Sequence, residues 1–244
     1  MSGKGGVGKS SVAAMLAIAW RRAGKRVGLL DADITGPSIP RMFGLKGQPG
    51  MSPLGIVPVK TAGGIKVMSI NLMLEREEEA VIWRGPLIGN AIKQFWSDVY
   101  WADLDVLVID LPPGTADAPL TVMQSIPLSG VVMVTSPQDL AGMVVRKAAQ
   151  MAAQLRIPLL GLIENMAYLP CPTCGTHIDV FGPSQAERTA QALGTALLGC
   201  LPLDPQLAAC CDTGEIEQYH NDWLRAIAEG ILAHMPKEKV QPAF

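Results

Sequence analysis

Lys9 and Ser10, placed after Gly3 and Gly8 in the run SGKGGVGKSS (residues 2–11), satisfy the phosphate-loop pattern G-x-x-x-x-G-K-S. The candidate nucleotide-binding stretch is Gly3, Lys4, Gly5, Gly6, Val7, Gly8, Lys9, Ser10 and Ser11. Backbone N–H groups from Gly5 to Ser10 can surround phosphate oxygens, and a helix that begins here presents its positive end to them. Lys9 would neutralise the β- and γ-phosphates of ATP, and the Ser10 hydroxyl can ligate Mg²⁺. Lys4 is a second lysine that one nucleotide does not require.

Carboxylates follow at two strand ends. In LLDADITGPS, Asp31 and Asp33 share one strand face through their i, i+2 spacing. Asp33 could hold an attacking water by positioning it, and the pair could equally be a solvated cap on the next turn. In LDVLVIDLPPGTAD four aliphatics end in Asp110, the pattern of a Walker B carboxylate that meets Mg²⁺ through water. Pro112-Pro113-Gly114 then forces a turn. Asn165, at the end of another apolar run, could contact an adenine edge or simply occupy a turn. Arg84 in WRGP reads as structural.

Thiols form a third group. Cys171 and Cys174 in YLPCPTCGTH make a C-x-x-C pair, which suits zinc or an iron–sulfur cluster, but such centres commonly take four ligands. Three readings fit: two chains giving two thiolates each, an intrachain zinc knuckle using His177, or a redox dithiol. Cys200, Cys210 and Cys211 lie far away in sequence and read as packing or incidental thiols.

The elements that must position these groups alternate. Apolar runs at 26–33, 65–70, 104–110, 130–136, 158–165 and 196–202 predict buried strands, with helices near 10–23, 86–100, 117–125, 139–155, 183–193 and 221–235. This alternation predicts an α/β, doubly wound, mostly parallel sheet with helices on both faces, in a single P-loop domain over 1–244 that ends in a tail from about 236. Residues 36–64, rich in Gly and Pro, predict irregular structure. Met1 and Ser2 alone precede Gly3, so the launching strand of the loop is expected to be missing.

The chain has 244 residues, 49% hydrophobic and 17% charged, with net charge −2, which gives no electrostatic footprint for nucleic acid. Its apolar runs are too short to span a bilayer. Five cysteines, an odd number, argue for reducing cytoplasm over a disulfide scaffold.

SGKGGVGKSS, LLDADITGPSIPRMFG, WRGP, DVLVIDLPPGTAD, VTSPQDLA and ENMAYLPCPTCG together resemble the Mrp/ApbC group of P-loop ATPases, iron–sulfur cluster carriers related to MinD and nitrogenase reductase. The resemblance runs over about residues 2–220. It implies a homodimer in which Lys4 reaches the nucleotide of the other subunit, and in which Lys4 and Lys9 stabilise charge while Asp33 orients water. It further implies a [4Fe–4S] cluster shared by Cys171 and Cys174 of both chains and handed to apo iron–sulfur proteins. Two other readings share the loop: a spatial regulator of the MinD or ParA kind, and an ATPase whose dimer is braced by zinc. A spatial regulator needs a membrane or DNA surface, and residues 221–244 make a poor anchor.

Overall fold

The computed structural model describes residues 1–2, 5–34, 36–74, 85–114, 117–138 and 140–236. Two compact bodies emerge. One comprises Met1–Lys9, Pro113–Pro205 and the chain from Ala226; the other comprises Ser10–Pro112 and Gln206–Arg225.

The second body opens at Ser10 within α1 (Lys9–Arg22), whose run SSVAAMLAIAW is apolar on nearly every side. Val12, Ala14, Met15, Leu16, Ala17, Ile18 and Trp20 are accordingly all buried. Arg21 and Arg22 occupy its last turn, and Gly24 takes the positive φ (+80°) that ends it. β1 (Val27–Asp31) follows and is buried at every residue. α2 (Ile39–Met42), β2 (Gly50–Ser52), β3 (Gly55–Val57) and β4 (Val59–Lys60) interrupt the stretch read as irregular. β5 (Lys66–Ser69), α3 (Gly85–Ser97) and β6 (Val106–Asp110) complete the run. The sheet order is β4-β5-β1-β6, with β1 parallel to both β5 and β6 and β4 antiparallel to β5. Gly28 lets this sheet be covered: a Cβ there would lie 2.6 Å from Leu104 Cδ1 and 2.8 Å from Leu107 Cδ1.

The first body contains α4 (Asp117–Ser125), β7 (Val131–Thr135), α5 (Leu140–Gln154), β8 (Leu159–Pro170), β9 (His177–Ile178), α6 (Ala186–Leu193) and β10 (Leu197–Pro202). Its sheet runs β10-β8-β7, all parallel, and β9 pairs antiparallel with the far end of β8. α7 (Pro205–Thr213) belongs to the second body from Gln206 on, and α8 (Trp223–His234) to the first from Ala226 on.

The mostly parallel α/β architecture matches the expectation, and all six predicted strands and six predicted helices are present, most with shifted ends. β8 departs most, running five residues beyond its predicted end. Ahead of the loop, Met1 and Ser2 are tied to β7. The Met1 ammonium donates to the Val132 carbonyl at 2.8 Å, Val134 N–H donates to the Met1 carbonyl at 2.8 Å, and Ser2 pairs with Val134 in parallel. Both residues are buried.

Candidate functional site

In the first body the loop is held by its own backbone and by β8. Gly6 (φ +79°) and Gly8 (φ +73°) adopt conformations that side-chain-bearing residues rarely take. Asn165 Nδ2 donates to the Val7 carbonyl at 2.9 Å, and a Cβ on Gly8 would overlap that same amide nitrogen. Gly114 N–H donates to the Ser2 carbonyl at 3.1 Å, tying the predicted Pro-Pro-Gly turn to the root of the loop. Lys9, the first residue of α1, is buried (8% exposed) despite its charge. Ser10 and Ser11 are partly exposed in the helix's first turn. Gly3, Lys4 and Arg84 lie outside the described residues.

In the second body the carboxylates divide. Asp31 is fully buried: its Oδ1 accepts from Asp33 N–H at 3.2 Å, and its Oδ2 accepts from Ile39 N–H and the Ser69 hydroxyl, both at 3.3 Å. Burial, and then its register neighbour Asp110, push its carboxyl up to about 8. Asp31 is thus a brace for the turn after β1. Asp33 lies past the end of β1 and accepts from Gly36 N–H at 3.2 Å. Asp110 closes β6 and is 1% exposed, at the position the sequence pattern assigns it.

The cysteines sit on a hairpin. β8 carries the chain out to Pro170, and β9 returns it with Leu169 opposite Ile178 and Pro170 opposite His177. Cys171 N–H donates to the Thr176 carbonyl at 2.9 Å, and Gly175 N–H donates to the Cys171 carbonyl at 2.8 Å. The positive φ of Gly175 (+73°) makes that closure possible. Cys174 is exposed and Cys171 half-buried. The Cys174 thiol donates to Thr176 Oγ1 at 3.3 Å; the Thr176 hydroxyl, its N–H and Cys171 hold that thiol below the ordinary range. The His177 ring stacks on Tyr168 (centroids 3.7 Å apart, 16° between planes). Among the described residues no group of three or more His, Cys, Asp or Glu side chains is gathered for a metal. Cys200 and Cys211 are half-buried and pushed up by burial, as packing thiols are.

Residues 1–235 match the model of the NUBPL iron-transfer P-loop NTPase family within the ParA group. The chain belongs to this family. It is 49% identical over 216 residues to the iron–sulfur cluster carrier protein of Methanocaldococcus jannaschii, covering 88% of this chain and 74% of that one. It superposes on a nucleotide-binding protein of Archaeoglobus fulgidus, solved with ADP, at TM-score 0.83 and 44% identity, covering 99% of this chain and 92% of that one. The cell division ATPase MinD of Pyrococcus furiosus follows at TM-score 0.66 and 19% identity over 96% of each chain, a likeness of fold. This family member is therefore a P-loop NTPase.

Three residues escaped the sequence reading. Glu164 is 1% exposed, its Oε1 accepts from Gln185 N–H at 3.3 Å ahead of α6, and its Oε2 has no hydrogen-bond partner among the described residues. Burial pushes its carboxyl up. A charged residue inside the apolar run PLLGLIEN was the available signal. Met166 holds a left-handed φ (+57°) inside β8, and Thr176 reaches Cys174. Neither had a signal in residue type alone. No helix among the described residues is long and apolar enough to cross a membrane.

Proposed function

We propose that this chain is an ATP-dependent carrier of an iron–sulfur cluster, with the cluster as cargo. The observation that carries the reading is one strand, β8, that braces the phosphate loop through Asn165 and ends at an exposed C-x-x-C hairpin. ATP would be held by the loop, with Lys9 neutralising its terminal phosphates. With Nδ2 engaged on Val7, Asn165 keeps its carboxamide oxygen for an adenine amine. The Ser10 hydroxyl and Asp110 carboxylate are hard oxygen donors that fit Mg²⁺, which when bound supplies charge neutralisation at the phosphates. Asp33 would orient the attacking water.

Two thiolates from one chain leave a [4Fe–4S] cluster two ligands short, so the cargo site is completed by Cys171 and Cys174 of a second copy. Lys4 would reach that copy's nucleotide. Release would go to apo iron–sulfur proteins, in a reducing cytoplasm that keeps all five thiols free.

The test is metal content after anaerobic reconstitution, beside a Cys171→Ala, Cys174→Ala double variant. About four irons and four sulfides per dimer, lost in the variant, are expected. Stoichiometric zinc with no iron uptake would overturn the carrier reading and leave a zinc-braced ATPase.

A further inference from the structure

The C-x-x-C pair names two ligands and leaves the residue beside them unexplained. Thr176 is fixed in place twice over. Its carbonyl accepts from Cys171 N–H at 2.9 Å, and the turn before it is closed by Gly175 N–H on the Cys171 carbonyl at 2.8 Å. It directly precedes His177, whose ring is stacked on Tyr168 across the hairpin. With backbone and neighbour both pinned, a β-branched side chain has few rotamers left. The one it takes puts Oγ1 3.3 Å from Cys174 Sγ. A threonine on an exposed turn has water available on most sides, so its engagement with one sulfur is a consequence of the hairpin's geometry.

The direction of this hydrogen bond depends on the state of the sulfur. While Cys174 is a thiol, its S–H donates and the hydroxyl oxygen accepts. A sulfur that is a metal ligand has no proton to give, and a hydroxyl is both donor and acceptor, so it turns and donates to the sulfur. Hydrogen bonds to ligand sulfurs raise the reduction potential of a cluster and orient its ligands.

We propose that Thr176 is a positioning residue for the cluster site: its hydroxyl serves as the donor to the Cys174 ligand sulfur and distinguishes that sulfur from Cys171. The proposal rests on the carrier reading for its metal-bound half, and the experiment separates the two.

Thr176→Val removes the hydroxyl at nearly constant shape, and Thr176→Ser restores it. In the metal-free protein, alkylation by iodoacetamide is followed at each cysteine by peptide mass spectrometry. Thr176→Val is expected to slow Cys174 about three- to tenfold while sparing Cys171, with Thr176→Ser close to the parent. In reconstituted protein, Thr176→Val is expected to lower the midpoint reduction potential and to speed removal of iron by a chelator about tenfold, both rescued by serine. Equal alkylation and an unmoved potential in Thr176→Val would overturn the proposal, as would slowing of both cysteines alike without rescue. If the parent protein itself takes up no iron, the carrier reading fails, and the alkylation rates still decide whether Thr176 acts on Cys174.

Discussion

The two ends of β8 are built by opposite means. At Asn165 the strand is buried: Asn165 is 4% exposed, Val7 1% and Ala167 3%, and a side-chain amide fills the space that Gly8 leaves open. Beyond Tyr168 packing gives way. Cys174 is exposed, Ile178 and Val180 are each 46% exposed, and the turn is held by hydrogen bonds it makes to itself. The same contrast appears in titration: burial pushes Glu164 up in the strand, while donors at an open turn pull Cys174 down. A site that must grip one nucleotide can be built from rigid packing. A site that must receive and surrender cargo needs its reactive atoms reachable, so its order comes from local hydrogen bonds.

Breaking the buried end should have the largest effect. Gly8→Ala meets both a positive φ and the Asn165 amide, and is expected to reduce ADP affinity at least about a hundredfold by calorimetry. Cys174 alkylation should not change. A matching change there would mean that the two ends are not independently ordered.

Next in size is Met166→Val, which places a β-branched residue at φ +57° and should cost about 1–2 kcal/mol in denaturant unfolding. Met166→Gly should cost clearly less, because glycine takes that φ freely. Equal costs would remove the backbone explanation.

Glu164 sharpens the comparison through pH. Its carboxyl holds its proton more tightly in the folded chain than at the ordinary 4.5 of the unfolded one. The stability it contributes is therefore complete below that pH and is lost as pH rises through the folded value. Glu164→Gln should flatten the fall of Tm with rising pH by a few degrees, read by circular dichroism. A parallel curve in the variant would show that another group is responsible.

The smallest effect is expected at the open end. His177→Ala removes an exposed stack worth roughly 0.5–1 kcal/mol. Amide exchange in the hairpin should quicken, with ADP affinity unchanged.

Much of this arrangement was legible in the residues. VLVID and VVMVT could be read as strands from their unbroken apolar runs, and the phosphate loop and C-x-x-C carry their chemistry in their spacing. What was hidden depends on distant partners. Spacing put Asp31 and Asp33 on one face as equals. Asp31 instead collects donors from Ile39 and Ser69, which no local pattern announces. The far end of β8 was missed because its pairing with β9 is two residues long, too short for periodicity to register. The hairpin of β2 and β3 was missed for the same reason, inside a stretch whose glycines and prolines read as loop. Met1 and Ser2 make the same point: their bridge to β7 depends on hydrogen bonds to a distant segment, not on any local pattern.

β8 also constrains how this chain can vary in length. Asn165 and Cys171 are six positions apart, about 20 Å of extended backbone, with the Met166 kink between them. Side chains in a strand alternate, so inserting or deleting one residue there would turn every later side chain to the opposite face and move the thiols off the tip. Residue types between Asn165 and Cys171 can drift, but their number cannot. An alignment of functional members should therefore show gaps in the exposed loops and none between Asn165 and Cys171.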